Sequence, residues 1–109
     1  MTWSETNVDT LASLEAPCVI DVREEDEYES GHVPGAVNVP LSRLASELGS
    51  IPGSGTVYVV CQAGGRSARA CEFLSQQEMF ASTSFVNVNG GTGAWILEGH
   101  AIVVGSQPS

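Results

Sequence analysis

Seven consecutive residues carry what an anion-handling thiol requires: Cys61, Gln62, Ala63, Gly64, Gly65, Arg66 and Ser67. The apolar run Thr56–Val60 leads straight into Cys61, and a segment with helical spacing begins at about Ser67. A tight loop between a strand and a helix turns its backbone N–H groups inward around one point, forming an anion-binding concavity. The helix N-terminus adds free N–H groups and positive potential. Gly64 and Gly65 allow positive φ and close backbone approach to a ligand. A cysteine in such surroundings ionises below its usual pKa of about 8.5 and becomes a nucleophile. Arg66 brings a permanent charge and planar donors for an oxyanion. The chemistry that fits is that of a thiolate, or of a persulfide held as an anion.

The remaining reactive side chains read as structural. Asp21, Arg23 and Glu27 lie at and just past the end of an apolar run and form an expected ion-pair network that pins the loop carrying His32. Histidine suits general acid chemistry near neutrality. Within Gly31-His32-Val33-Pro34-Gly35, however, His32 reads as a hydrogen-bonding brace. Cys71 falls on the helical segment after the loop and reads as core packing rather than a resolving thiol, Cys18 begins a strand, and Trp95 reads as core. The run Glu24–Glu29 reads as a solvated face. There is no Cys-x-x-Cys pair and the two histidines lie far apart, so no structural zinc site is expected.

These residues need a scaffold, and the hydrophobic pattern supplies one. Cys18–Val22, Thr56–Val60 and Ser84–Val88 are short, mostly β-branched or aromatic, and flanked by turn residues, as buried parallel strands are. Ala36–Val39 is a shorter strand of the same kind. Between them, Thr6–Glu15, Leu41–Leu48, Ser67–Gln77 and Thr92–Glu98 have helical spacing. Thr6 with Asp9 has the form of a capping box, and Ser42 is the expected cap of the second helix. Strands alternating with helices predict an α/β domain with a mainly parallel sheet. In such sheets ligands gather beyond the carboxyl ends of the strands, which is where Cys61 falls.

The chain has 109 residues, the length of one domain, with a core expected over about 3–104 and a flexible tail over 105–109. It holds 13 acidic and 4 basic residues, a formal charge of -9, and no lysine. Such a surface repels nucleic acid and anionic membranes; it serves solubility first and would also suit a basic protein partner. Three widely spaced cysteines do not make a secreted disulfide framework. The first residues are polar and acidic, unlike a signal peptide, and no apolar stretch is long enough to span a bilayer, so the cytoplasm is the expected location.

Three segments also resemble a known family. Cys61-Gln62-Ala63-Gly64-Gly65-Arg66-Ser67 is similar to the active-site loop of rhodanese-like domains, often Cys-x-x-Gly-x-Arg-Ser. Asp21-Val22-Arg23, Glu27-Tyr28 and Gly31 to Pro40 resemble the family's first signature. Gly90-Gly91-Thr92-Gly93-Ala94-Trp95, continuing to Gly99, resembles its C-terminal signature. The resemblance implies a three-layer fold, a five-stranded mainly parallel sheet with helices on both faces. It implies a sulfurtransferase whose catalytic Cys61 takes a sulfane sulfur from a donor such as thiosulfate or a persulfide. The sulfur then passes to a thiol or cyanide acceptor. No cofactor or metal is implied. Gln62, Ala63, Gly64, Gly65, Arg66 and Ser67 are then the substrate-binding residues, with Arg66 and the loop N–H groups on the donor anion. Gln62 departs from the Arg or Lys that many thiosulfate-using members carry after the cysteine, which weakens the case for thiosulfate. A second reading is a protein-to-protein sulfur relay or binding module with weak free activity. A third, a cysteine phosphatase or arsenate reductase, requires an arginine six positions after the cysteine. Here Arg66 stands five positions after it, so the loop is one residue short for a tetrahedral oxyanion.

Overall fold

The computed structural model describes residues 2–109. Its strands are β1 (Ser4–Thr6), β2 (Cys18–Asp21), β3 (Val37–Asn38), β4 (Ser54–Val60) and β5 (Ser82–Val88). They form one all-parallel sheet in the order β1-β5-β4-β2-β3. The helices are α1 (Val8–Ser13), α2 (Glu25–Ser30), α3 (Gly65–Ser75) and α4 (Gly91–Leu97). Side chains alternate across β4, so each face of the sheet receives its own core. Val57, Val59 and Cys61 pack on one side with Ala70, Cys71 and Leu74 of α3. Val60 packs on the other with Leu11 of α1, Tyr28 of α2 and Trp95 of α4. Helices therefore cover both faces, as the α/β reading requires.

From β2 the chain moves outward to β3, then returns to the other side of β2 as β4 and continues to β5. The loops after β2 and β4 diverge at this reversal and leave a crevice beyond the strand ends. Cys61 is the first residue after β4, and Arg23 lies just beyond β2.

Four elements differ from the sequence reading, some through tertiary contact and some through local side-chain hydrogen bonds. Ser4–Thr6 has no apolar residue, yet it is a strand because it completes the edge of β5, with Ser4 opposite Val86. With Thr6 inside β1, Asn7 takes over as the cap of α1 and accepts the Thr10 N–H at 2.8 Å. The acidic run is solvated as expected, with Glu24, Glu25, Asp26 and Glu29 exposed, but it also contains the unforeseen α2, closed by a reciprocal capping box between Glu24 and Glu27 and anchored by the buried Tyr28. The expected helix over Leu41–Leu48 forms as 3-10 turns over Leu41–Ser46 and Leu48–Ser50. Only Leu44 is buried in the first, and Ser46 donates back to the Arg43 carbonyl at 2.9 Å, in competition with a regular ladder.

The tail at 105–109, expected to be flexible, is tied to the loop around His32. The Gly105 N–H donates to the Glu29 carbonyl at 2.8 Å, and the Gly35 N–H donates to the Pro108 carbonyl at 2.8 Å. His32 Nε2 lies 2.9 Å from the Gln107 carbonyl oxygen. The loop's buried polar groups require partners, and the returning chain supplies them. Among the described residues no helix is long and apolar enough to cross a membrane. Deleting residues 105–109 should lower unfolding stability by about 1–3 kcal/mol, the net value of a few such hydrogen bonds. Urea denaturation of the truncated chain against the full chain measures it, and an unchanged midpoint would show that the tail contributes no net stability.

Candidate active site

Cys61 is 1% exposed, and its sulfur is the point on which the loop closes. The Gly64 N–H donates to Sγ at 3.1 Å and the Ser67 hydroxyl lies 3.3 Å from it. Gly64 caps α3 at φ 109, which a side chain adopts only under strain. Burial pushes the Cys61 thiol up. The Ser67 hydroxyl and the N–H groups of Ser67, Gly64 and Ala63 outweigh it and hold the thiol below its ordinary value. Donors at the start of α3 thus produce the effect that the strand-loop-helix pattern predicts.

The outer side of the loop is held by α4. The Thr92 N–H donates to the Cys61 carbonyl at 2.8 Å, and the Gly93 N–H donates to the Gln62 carbonyl at 3.0 Å. With the carbonyls drawn outward to α4, the N–H groups that follow are left to face the sulfur. This fit demands glycine at 91, where φ is +58 and a Cβ would stand 2.3 Å from the Cys61 carbonyl oxygen.

Arg66, the residue expected on the donor anion, is engaged by a carboxylate. Its guanidinium meets Glu27 with two parallel contacts, Nη1 to Oε1 at 2.7 Å and Nη2 to Oε2 at 2.8 Å. The Arg66 hydrogen bonds hold the Glu27 carboxyl far down, at about 2, and Glu27 in turn raises Arg66. Glu27 was expected beside Asp21 and Arg23, which instead pair with each other. Both are buried, and Arg23 Nη2 lies 2.9 Å from Asp21 Oδ2. Arg23 also donates to the Gly31 carbonyl at 2.8 Å and to Gln62 Oε1 at 3.2 Å. Gln62 is therefore the residue through which the loop after β2 grips the loop after β4. Ala63 and Gly65 are exposed on the outer rim.

The structure brings Cys61, Gly64 and Ser67 into direct contact and seats Gln62 and Arg66 on neighbouring supports. Other residues stay outside. His32 is fully buried, stacks on Tyr28 with ring centroids 3.7 Å apart, and places Nδ1 at 2.8 Å from the Tyr28 carbonyl oxygen, so it braces its loop. Burial pushes Cys71 up to about 12 and also raises Cys18. Trp95 packs in the core and donates to the Ala101 carbonyl at 2.8 Å. Sequence reasoning missed Asn87, a 2% exposed polar residue at the end of β5 whose Oδ1 meets Ser67. An asparagine inside an otherwise apolar strand was the signal available.

The model of the rhodanese-like domain matches residues 6–98. A protein named sulfurtransferase from Allochromatium vinosum is 32% identical over 100 residues, 92% of this chain and 91% of that protein. YqhL of Bacillus subtilis, an uncharacterized protein, is 40% identical over 77 residues, which is 71% of this chain and 59% of YqhL. The crystal structure of a rhodanese-related protein from Thermoplasma volcanium superposes with a TM-score of 0.79 at 33% identity, covering 94% of this chain and 99% of the other.

The Arg66–Glu27 pair makes stability depend on acid in a defined direction. Glu27 falls from an ordinary 4.5 to about 2 in the folded chain. Its contribution is therefore complete above the ordinary value and is lost as pH falls toward about 2. Between these limits wild type should lose stability more steeply than Glu27→Gln, which has no proton to take up at that position. Urea midpoints measured across this range test it, and equal slopes would show that the pair is not formed in solution.

Proposed function

The chain belongs to the rhodanese-like domain family, and on that premise we propose that it is a sulfurtransferase working through a persulfide on Cys61. The observation that carries the reading is the convergence of the Gly64 N–H and the Ser67 hydroxyl on a buried Sγ whose ionisation they favour. In the first half-reaction the Cys61 thiolate attacks the outer sulfur of the donor. A Cys61 Sγ–S bond forms and the donor's S–S bond breaks. Its electron pair leaves with sulfite from thiosulfate, or with a thiolate from an organic persulfide. In the second half-reaction an acceptor thiolate or cyanide attacks that outer sulfur. The Sγ–S bond breaks, and Cys61 returns as a thiolate. Two easier displacements replace one difficult transfer, the general benefit of a covalent intermediate. The loop's N–H groups stabilise the negative sulfur at each stage. A reducing compartment such as the cytoplasm supplies thiol acceptors.

The donor follows from charge. Glu27 neutralises Arg66, and Gln62 brings no charge of its own. The mouth of the site thus offers little to a dianion such as thiosulfate. A persulfide needs only its terminal sulfur recognised, so we assign it as the preferred donor. The formal charge of -9 also favours a basic protein as the thiol acceptor, which makes a sulfur relay the second form of the same chemistry.

Two experiments test these assignments. After exposure to a glutathione persulfide, peptide mapping should find one added sulfur on Cys61 and none on Cys18 or Cys71. Cys61→Ser should fold and show no turnover; sulfur found mainly on another cysteine would overturn the assignment. Glu27→Gln should free Arg66 and raise kcat/KM for thiosulfate relative to the persulfide donor by about tenfold, the scale of one charge-assisted contact. An unchanged ratio would mean that Arg66 does not meet the donor.

A further inference from the structure

We infer that Asn87 is a positioning residue that sets the reactivity of Cys61 by competing with its sulfur for the single proton of Ser67. The inference rests on the Cys61 persulfide cycle proposed above. Ser67 is fully buried, and its hydroxyl faces three acceptors: Cys61 Sγ at 3.3 Å, the Gly64 carbonyl at 3.2 Å and Asn87 Oδ1 at 2.5 Å. A hydroxyl has one proton to donate, so only one acceptor is well served at a time. The orientation of the Asn87 amide follows from its other neighbours. Nδ2 lies 3.3 Å from the Gly64 carbonyl oxygen and 3.4 Å from Asn89 Oδ1, both acceptors, so the amide nitrogen faces them and Oδ1 faces Ser67.

The competition changes sign as the cycle proceeds. When Cys61 is a thiolate, the charged sulfur is the stronger acceptor and Ser67 turns its proton to Sγ. When Sγ is a thiol or the inner sulfur of a persulfide it carries no formal charge, and the proton returns to Asn87 Oδ1. Asn87 thereby keeps the buried hydroxyl satisfied in the states in which the sulfur does not need it. It also opposes ionisation of Cys61, because forming the thiolate costs Asn87 its donor. No covalent bond changes; the hydroxyl only rotates.

The charged groups on the elements that hold the loop are Arg66 of α3 with Glu27 of α2, and Asp21 of β2 with Arg23 just beyond it. None is altered by substitution at Asn87. The experiment measures the pH dependence of iodoacetamide alkylation of Cys61, followed by peptide mapping so that Cys18 and Cys71 are resolved. Asn87→Leu removes the nearer competitor at similar size, leaving the Gly64 carbonyl at 3.2 Å, and should move the midpoint down by about half to one pH unit. Asn87→Val, β-branched like its strand neighbours, should do the same if the leucine variant does not fold. Asn87→Asp keeps an acceptor and adds a charge, and should move it up. In a Ser67→Ala background, Asn87→Leu should leave the midpoint where Ser67→Ala alone puts it. A merely structural role predicts the opposite: each disturbance of the loop would scatter the donors and raise the midpoint. An upward or absent shift in Asn87→Leu or Asn87→Val, or a downward shift that persists without Ser67, overturns the inference. Because alkylation needs no sulfur donor, a shift as expected in a protein that loads no sulfur would support the Asn87 competition while refuting the sulfurtransferase reading.

Discussion

A sulfur atom withdrawn from water can hold negative charge only if donors stand where water stood. This constraint organises the molecule. Cys61 is nearly inaccessible, and burial alone would keep it a thiol, as it keeps Cys71. The difference between the two cysteines is made by the loop that begins α3. Its N–H groups have no helical partner, and Ser67 adds a hydroxyl beside them. The sheet delivers Cys61 to this place because β4 ends there.

A loop that aims several N–H groups at one atom must direct its carbonyls elsewhere. Here they meet α4, which receives the carbonyls of Cys61 and Gln62 from outside. The requirement for glycine at position 91 follows both from that close approach and from its left-handed backbone. The sulfur and the C-terminal segment are thus parts of one construction, although the hydrogen bonds to Sγ come from Gly64 and Ser67.

The charged residues form two separate supports. Asp21 and Arg23 are buried together and reach outward to Gly31 and Gln62, joining the loops after β2 and β4. Arg66 and Glu27 join the start of α3 to α2 near the surface. A buried pair of this kind is costly to break, because either partner alone would leave a charge without compensation. The outer pair is partly open to solvent, so Arg66 lies near the surface with its charge matched by a carboxylate.

The parts of this protein that depend on neighbours in the chain were legible in the residues. The apolar run into Cys61, the glycines after it and the helical spacing that follows determine a strand, a tight loop and a helix, hence a thiol among free N–H groups. Alternating short apolar runs and helical segments determine an α/β domain, and the loop and flanking signatures resemble one family. What sequence alone left undecided are contacts between distant segments. Arg66 pairs with Glu27 across 39 positions, Ser67 meets Asn87 across 20, and His32 meets Gln107 across 75. β1 and α2 belong to the same group, since one is a strand only beside β5 and the other is anchored only by burial of Tyr28. A residue's type states which bonds it can make. Only the packing of the parallel sheet and its crossovers decides which of many eligible carboxylates, amides and carbonyls stands within reach.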